Sequence, residues 1–113
     1  MKIIDVGKDF YHFLANRNEN QGNGKHTAIE FRNNYLSFLD NKQAWEEKDN
    51  IILLDFKNVD TMISSFANEA FAYFTQYAKP EEIKKHIKFQ NISSVKMEII
   101  DTELKNGYKQ QRW

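Results

Sequence analysis

Two adjacent hydroxyls, Ser64 and Ser65, stand ahead of Phe66, Asn68 and Glu69. At the start of a helix a serine meets N–H groups that lack an intrahelical acceptor and carry partial positive charge. Two chemistries suit that place. The plain one is capping, since serine is a leading N-cap residue. The other is phosphorylation. Amides at a helix start suit a phosphate, and the group adds about two negative charges to any surface docking there, so that a contact with a carboxylate would be lost. Glu69 lies one turn further on and can pair with Arg32 or Arg17. An ion pair is preferred to a catalytic carboxylate, because no second acid is placed to share acid–base work with it.

Other chemistry finds less support. His12, His26 and His86 have no metal-ligand spacing, and the chain has no cysteine, so neither a metal site nor a disulfide is expected. Gly22-Asn23-Gly24-Lys25 lacks the spacing of a phosphate loop. No serine, histidine and acid suggest a nucleophilic triad. The expectation is therefore no enzyme and no cofactor. Lys84, Lys85, Lys88 and Lys96 fit solvated faces. A second reading uses Arg17, Lys25 and Arg32 beside the Asn-rich loop from Asn16 to His26 to bind a small anion or nucleic acid. Sixteen basic against sixteen acidic residues leave no global field to attract phosphates, which makes nucleic acid an unfavoured partner.

These residues need elements to position them. Residues 51–54 form an unbroken apolar run, closed by Asp55-Phe56, as suits a strand buried on both faces. A polar turn at 57–61 follows, and then the serine pair. Beyond it Ala67, Ala70, Phe71, Phe74 and Ala78 share one helical face, widened by Phe66, Tyr73 and Tyr77. Asn68, Glu69, Ala72, Thr75 and Gln76 fall opposite. Upstream, Ile3, Ile4 and Val6 predict a first strand ended by Gly7, while residues 9–14 are too short to choose a state. Thr27-Ala28-Ile29-Glu30 has the form of a capping box for a helix to about Leu39. Its buried face is Ala28, Phe31, Tyr35, Phe38 and Leu39. Trp45, alone among charges, fits the edge of the core. Pro80 with Glu81 and Glu82 opens a short helix. Residues 87–91 alternate as a half-buried strand. Ser93 or Ser94 caps a last helix with Met97, Ile100, Leu104 and Tyr108 as its buried stripe, weakened or ended at Gly107.

Strands alternating with helices predict an α/β fold, a small mixed, mostly parallel sheet of about four strands covered by helices. At 113 residues, 41% hydrophobic and 14% aromatic, the chain is expected to be one domain with one core. A mean hydropathy of −0.73 and the lack of any run of about 20 apolar residues exclude a spanning helix. Lys2 followed only by Ile3-Ile4 is too little for a signal peptide, so a cytoplasmic location is expected.

The run Leu53-Leu54-Asp55-Phe56-Lys57-Asn58-Val59 followed by Ser64-Ser65-Phe66-Ala67-Asn68-Glu69-Ala70-Phe71 resembles the STAS-like domains, a bacterial family related to the anti-sigma factor antagonists. Arg17, Gly24, Thr27, Phe31 and Arg32 fill the family's upstream pattern, and the resemblance extends from Ala15 to about Phe74. It implies a compact α/β sandwich and a regulatory, non-enzymatic interaction domain. It also implies a serine at this helix start phosphorylated by a partner ATPase of the histidine-kinase-like fold. Ser64 aligns best with that acceptor, with Ser65 beside it. Phe66, Asn68, Glu69, Arg17 and Arg32 are the partner-binding residues that the resemblance implies. The chain departs from the antagonists at Ile63, where an acid is usual, and at Phe66, where glycine is. Asn68 stands where the STAS-like family often has an acid.

Overall fold

The computed structural model describes residues 1–18 and 26–109. Among the described residues five short strands lie in two all-parallel sheets. Strands β1 (Lys2–Asp5), β3 (Ile52–Asp55) and β5 (Ile87–Gln90) form the larger, in the order β1-β3-β5. Strands β2 (Phe13–Leu14) and β4 (Thr61–Met62) form the smaller. The predicted α/β class holds, with the strands resolved as three plus two. The undecided stretch at 9–14 contains the end of a one-turn helix α1 (Val6–Asp9) and β2. The expected turn at 57–61 ends in β4, two residues too short for periodicity to detect.

Register explains the central apolar run. Ile4, Leu54 and Phe89 are aligned across the larger sheet, as are Ile3, Leu53 and Lys88. Parallel partners share a face. The first set, with Ile52 and Ile87, faces the core: Ile52 and Leu54 are wholly buried, while Ile3 on the second set is 59% exposed. The run is therefore buried chiefly on one face, with Leu53 half-buried on the other.

Helix α2 (Ala28–Tyr35) starts at Thr27, whose Oγ1 accepts from the Glu30 N–H at 3.1 Å. Only this half of the capping box forms. The segment before the Asn-rich loop holds the helix start, with Ala28 N–H donating to the Asn16 carbonyl at 2.8 Å. The helix stops at Tyr35, and a 3-10 turn (Ser37–Leu39) completes the predicted span. Phe38 projects outward and Leu36 takes the buried place. Trp45 packs at the core edge, 5.6 Å from the Phe74 ring, its Nε1 donating to the Leu39 carbonyl.

Helix α3 (Ser64–Ala70) is followed by a 3-10 segment (Ala72–Gln76), α4 (Pro80–His86) and, after β5, α5 (Ser94–Asn106). The break at Phe71 separates the aromatics. Phe71 packs edge-on against Phe89, Phe74 lies tilted against Trp45, and Tyr73 reaches Asp40. Ser93 is the cap of α5, accepting from the Lys96 N–H at 3.2 Å. Gly107, at φ +83°, ends that helix, so Tyr108 leaves the predicted stripe. No helix among the described residues is long and apolar enough to cross a membrane.

Candidate interaction site at the start of α3

Helix α3 is buried nearly all round. Phe66, Ala67, Asn68, Glu69 and Ala70 are all inside, although only one face reads as apolar. The reason is that α5 and the residues after it cover the side predicted to face water. Polar side chains trapped there must find partners, and they find one another.

Glu69 is the centre of that network. Its Oε1 accepts from Arg17 Nη1 at 3.0 Å and its Oε2 from Arg32 Nη1 at 2.5 Å. The Tyr108 hydroxyl donates to the same carboxylate at 3.0 Å. Arg17 Nη2 donates to Asn68 Oδ1, and Arg17 Nη1 to the Lys109 carbonyl at 2.7 Å. Arg32 also donates to the Glu69 carbonyl, and its guanidinium lies 3.7 Å from the Tyr73 ring centroid. That face contact matters because Arg32 Nε has no acceptor among the described residues, and a ring face is the remaining favourable neighbour for a cation. The expected ion pair thus forms with both candidate arginines.

Residues 107–109 strap this cluster. Asn68 Nδ2 donates to the Gly107 carbonyl at 2.9 Å, the Lys109 N–H donates to Asn68 Oδ1, and the Tyr108 N–H donates to Thr75 Oγ1. Burial, with the Glu69 charge and hydrogen bond, pushes the Tyr108 phenol up to about 12. The Tyr77 phenol is also near 12, chiefly because it donates to Asp40 at 2.7 Å. The roles of Tyr108, Thr75 and the strap escape sequence reading. Gly107 is the only local signal, marking where the chain leaves the helix.

The serine pair divides. Ser64 is exposed. Ser65 is half-buried, and its Oγ donates to the Ala15 carbonyl at 3.2 Å. Neither is the cap. That position belongs to Ile63, whose side chain cannot accept and whose N–H donates to the Leu14 carbonyl at 2.9 Å. Pairing of β2 with β4 carries the extended backbone up to Ile63, so the helix begins one residue before either serine could cap it. Ile63 and Phe13 project outward, 42% and 41% exposed.

Phe66, Asn68, Glu69, Arg17 and Arg32, expected to touch a partner, are instead interior: the most exposed of them, Arg32, is 9% exposed. They support the platform from beneath. The anion-binding reading meets the same obstacle, since Arg17 and Arg32 are committed to Glu69. Lys25 lies outside the described residues. A further polar cluster sits at the C-terminal end of the larger sheet. There Asp55, buried, accepts from Lys57 N–H, Asn91 and Gln90, and the Lys57 backbone bond above all holds its carboxyl down at about 2. No group of three or more His, Cys, Asp or Glu side chains able to hold a metal occurs among the described residues.

Comparison with curated proteins and with solved structures gave no match. A family match covers residues 27–97, more than half of the chain, spanning α2, the central strand, the serine pair and the start of α5. The chain belongs to the family described as a STAS-like domain of unknown function (DUF4325).

Proposed function

We propose that this chain is a regulatory protein-interaction domain that offers Ser64 to a partner protein. The partner is an ATPase of the histidine-kinase-like fold that phosphorylates that hydroxyl. One observation carries the reading: Ser64 is exposed, and the interior beneath it is locked by the Arg17–Glu69–Arg32 cluster. A fixed, accessible hydroxyl beside the exposed Ile63 and Phe13 is a surface that a second macromolecule can read. Ser65 is the poorer acceptor, since its modification breaks the bond to Ala15. Family membership supports a regulatory interaction role. The burial of Arg17 and Arg32 leaves the anion-binding alternative without two of its three cations.

The test is to mix the purified chain with ATP and a candidate kinase of this class. A mass gain of one phosphate, mapped to Ser64 and lost in Ser64→Ala, is expected. An unchanged mass together with no binding by calorimetric titration would overturn the reading.

A further inference from the structure

A groove of about 250 Å³ opens between the start of α3 and α5, lined by Ser64, Val95, Glu98, Ile99, Thr102 and Glu103. Drug-sized ligands occupy pockets of about 300–1,000 Å³, so this one suits a side chain or two of a protein. Along α5, residues 95, 98, 99 and 102 recur at helical spacing. They form a second stripe, distinct from the buried Ile100 and Leu104. Val95 on it is 67% exposed.

The chemistry of the lining is one-sided. Val95 and Ile99 supply apolar walls. Glu98 is exposed and makes no ion pair or hydrogen bond among the described residues. Among the described residues Glu103 accepts only from Asn68 Nδ2, through Oε1, at 3.0 Å. Among the described residues no lysine, arginine or histidine lines the groove. Two carboxylates of like charge beside apolar side chains are complementary to a cation on an aliphatic stem, which lays its methylenes on the walls and its charge at the rim.

We infer that this groove is the docking cleft for a basic, partly aliphatic segment of the partner protein, with a lysine or arginine set against Glu98 and Glu103. The inference rests on the interaction reading given above and names the chemistry of the partner's contact. It has a consequence for Ser64, which lines the same groove. A phosphate there adds about two negative charges to a wall already acidic, so the modified groove binds a basic segment more tightly, not less.

A short amphipathic Leu/Lys peptide serves as the probe, with a Leu/Glu peptide of the same pattern as control, followed by amide chemical shifts. Shifts confined to 63–65 and 95–103, weakening at high salt, are expected. Glu98→Lys is expected to weaken binding at least tenfold, and Ser64→Asp to tighten it. Glu98 has no structural partner among the described residues, so an unchanged melting temperature confirms that this variant folds. Equal binding of the Leu/Glu peptide, shifts elsewhere on the surface, or indifference to Glu98→Lys overturns the inference. The kinase assay is independent: a chain that is phosphorylated on Ser64 but ignores the Leu/Lys peptide sinks the groove alone, while a chain that takes the peptide but is never phosphorylated supports the groove and sinks the kinase reading.

Discussion

Arg17 and Glu69, 52 positions apart in the chain, meet in the interior through a 3.0 Å hydrogen bond. The bond ties the segment entering the Asn-rich loop to the middle of α3, and Arg32 closes on the other carboxylate oxygen. Two guanidinia thus share one carboxylate, with backbone carbonyls and the Tyr73 ring absorbing the excess charge.

Removing the shared carboxylate leaves two cations buried without their anion. Glu69→Ala is expected to destabilise the chain by about 3–5 kcal/mol, the usual result of breaking a buried pair from one side. Urea unfolding of the variant checks this, and a loss below about 1 kcal/mol would show that the cluster is solvated and not structural.

Tyr108 links the strap to that carboxylate. Tyr108→Phe deletes a bond to a charged acceptor, so a loss of about 1.5–3 kcal/mol is expected. The pH dependence has a definite sign. The folded phenol is raised above its ordinary 10.0 to about 12, so its contribution is whole below pH 10 and disappears as pH climbs towards 12. Alkaline melting curves of the wild type should show this loss, and those of Tyr108→Phe should lack that part of it.

Asp55 gives the opposite dependence. Its carboxyl is lowered from 3.8 to about 2, first by the Lys57 N–H and then by Asn91 and Gln90. Its stabilisation is present above pH 4 and is lost as pH falls through 2. Asp55→Asn should flatten the acid limb of the stability profile while leaving the alkaline limb as it was.

The two serines should separate in stability as they do in exposure. Ser64→Ala is expected to change stability by no more than about 0.5 kcal/mol, as surface changes usually do. Ser65→Ala loses the bond to the Ala15 carbonyl and should cost about 1 kcal/mol. Parallel thermal melts of the two variants make the comparison.

Gly7 tests the top of the larger sheet. A Cβ there would stand 2.0 Å from the Asn58 backbone oxygen, which no rotamer change relieves. Gly7→Ala should destabilise by about 1–3 kcal/mol, seen as a lower midpoint in urea.

The chain's own pattern was enough for the α/β class, for the Thr27 cap, for a serine cap at 93 or 94 and for the pairing of Glu69 with an arginine. Each of these depends on residues close in sequence or on a rule of charge that holds anywhere. Local pattern also marked 64–65 as a helix start, but not which hydroxyl is accessible. That depends on β2 pairing with β4, which sets Ile63 as the cap and hands Ser65 to Ala15. Tertiary packing alone decided that Asn68 and Glu69 are interior, because α5 and residues 107–109 cover a helical face that reads as polar. Polarity predicts exposure only where no neighbour supplies hydrogen bonds. Here two arginines, a tyrosine and a strap of backbone supply them, from positions that no spacing rule connects.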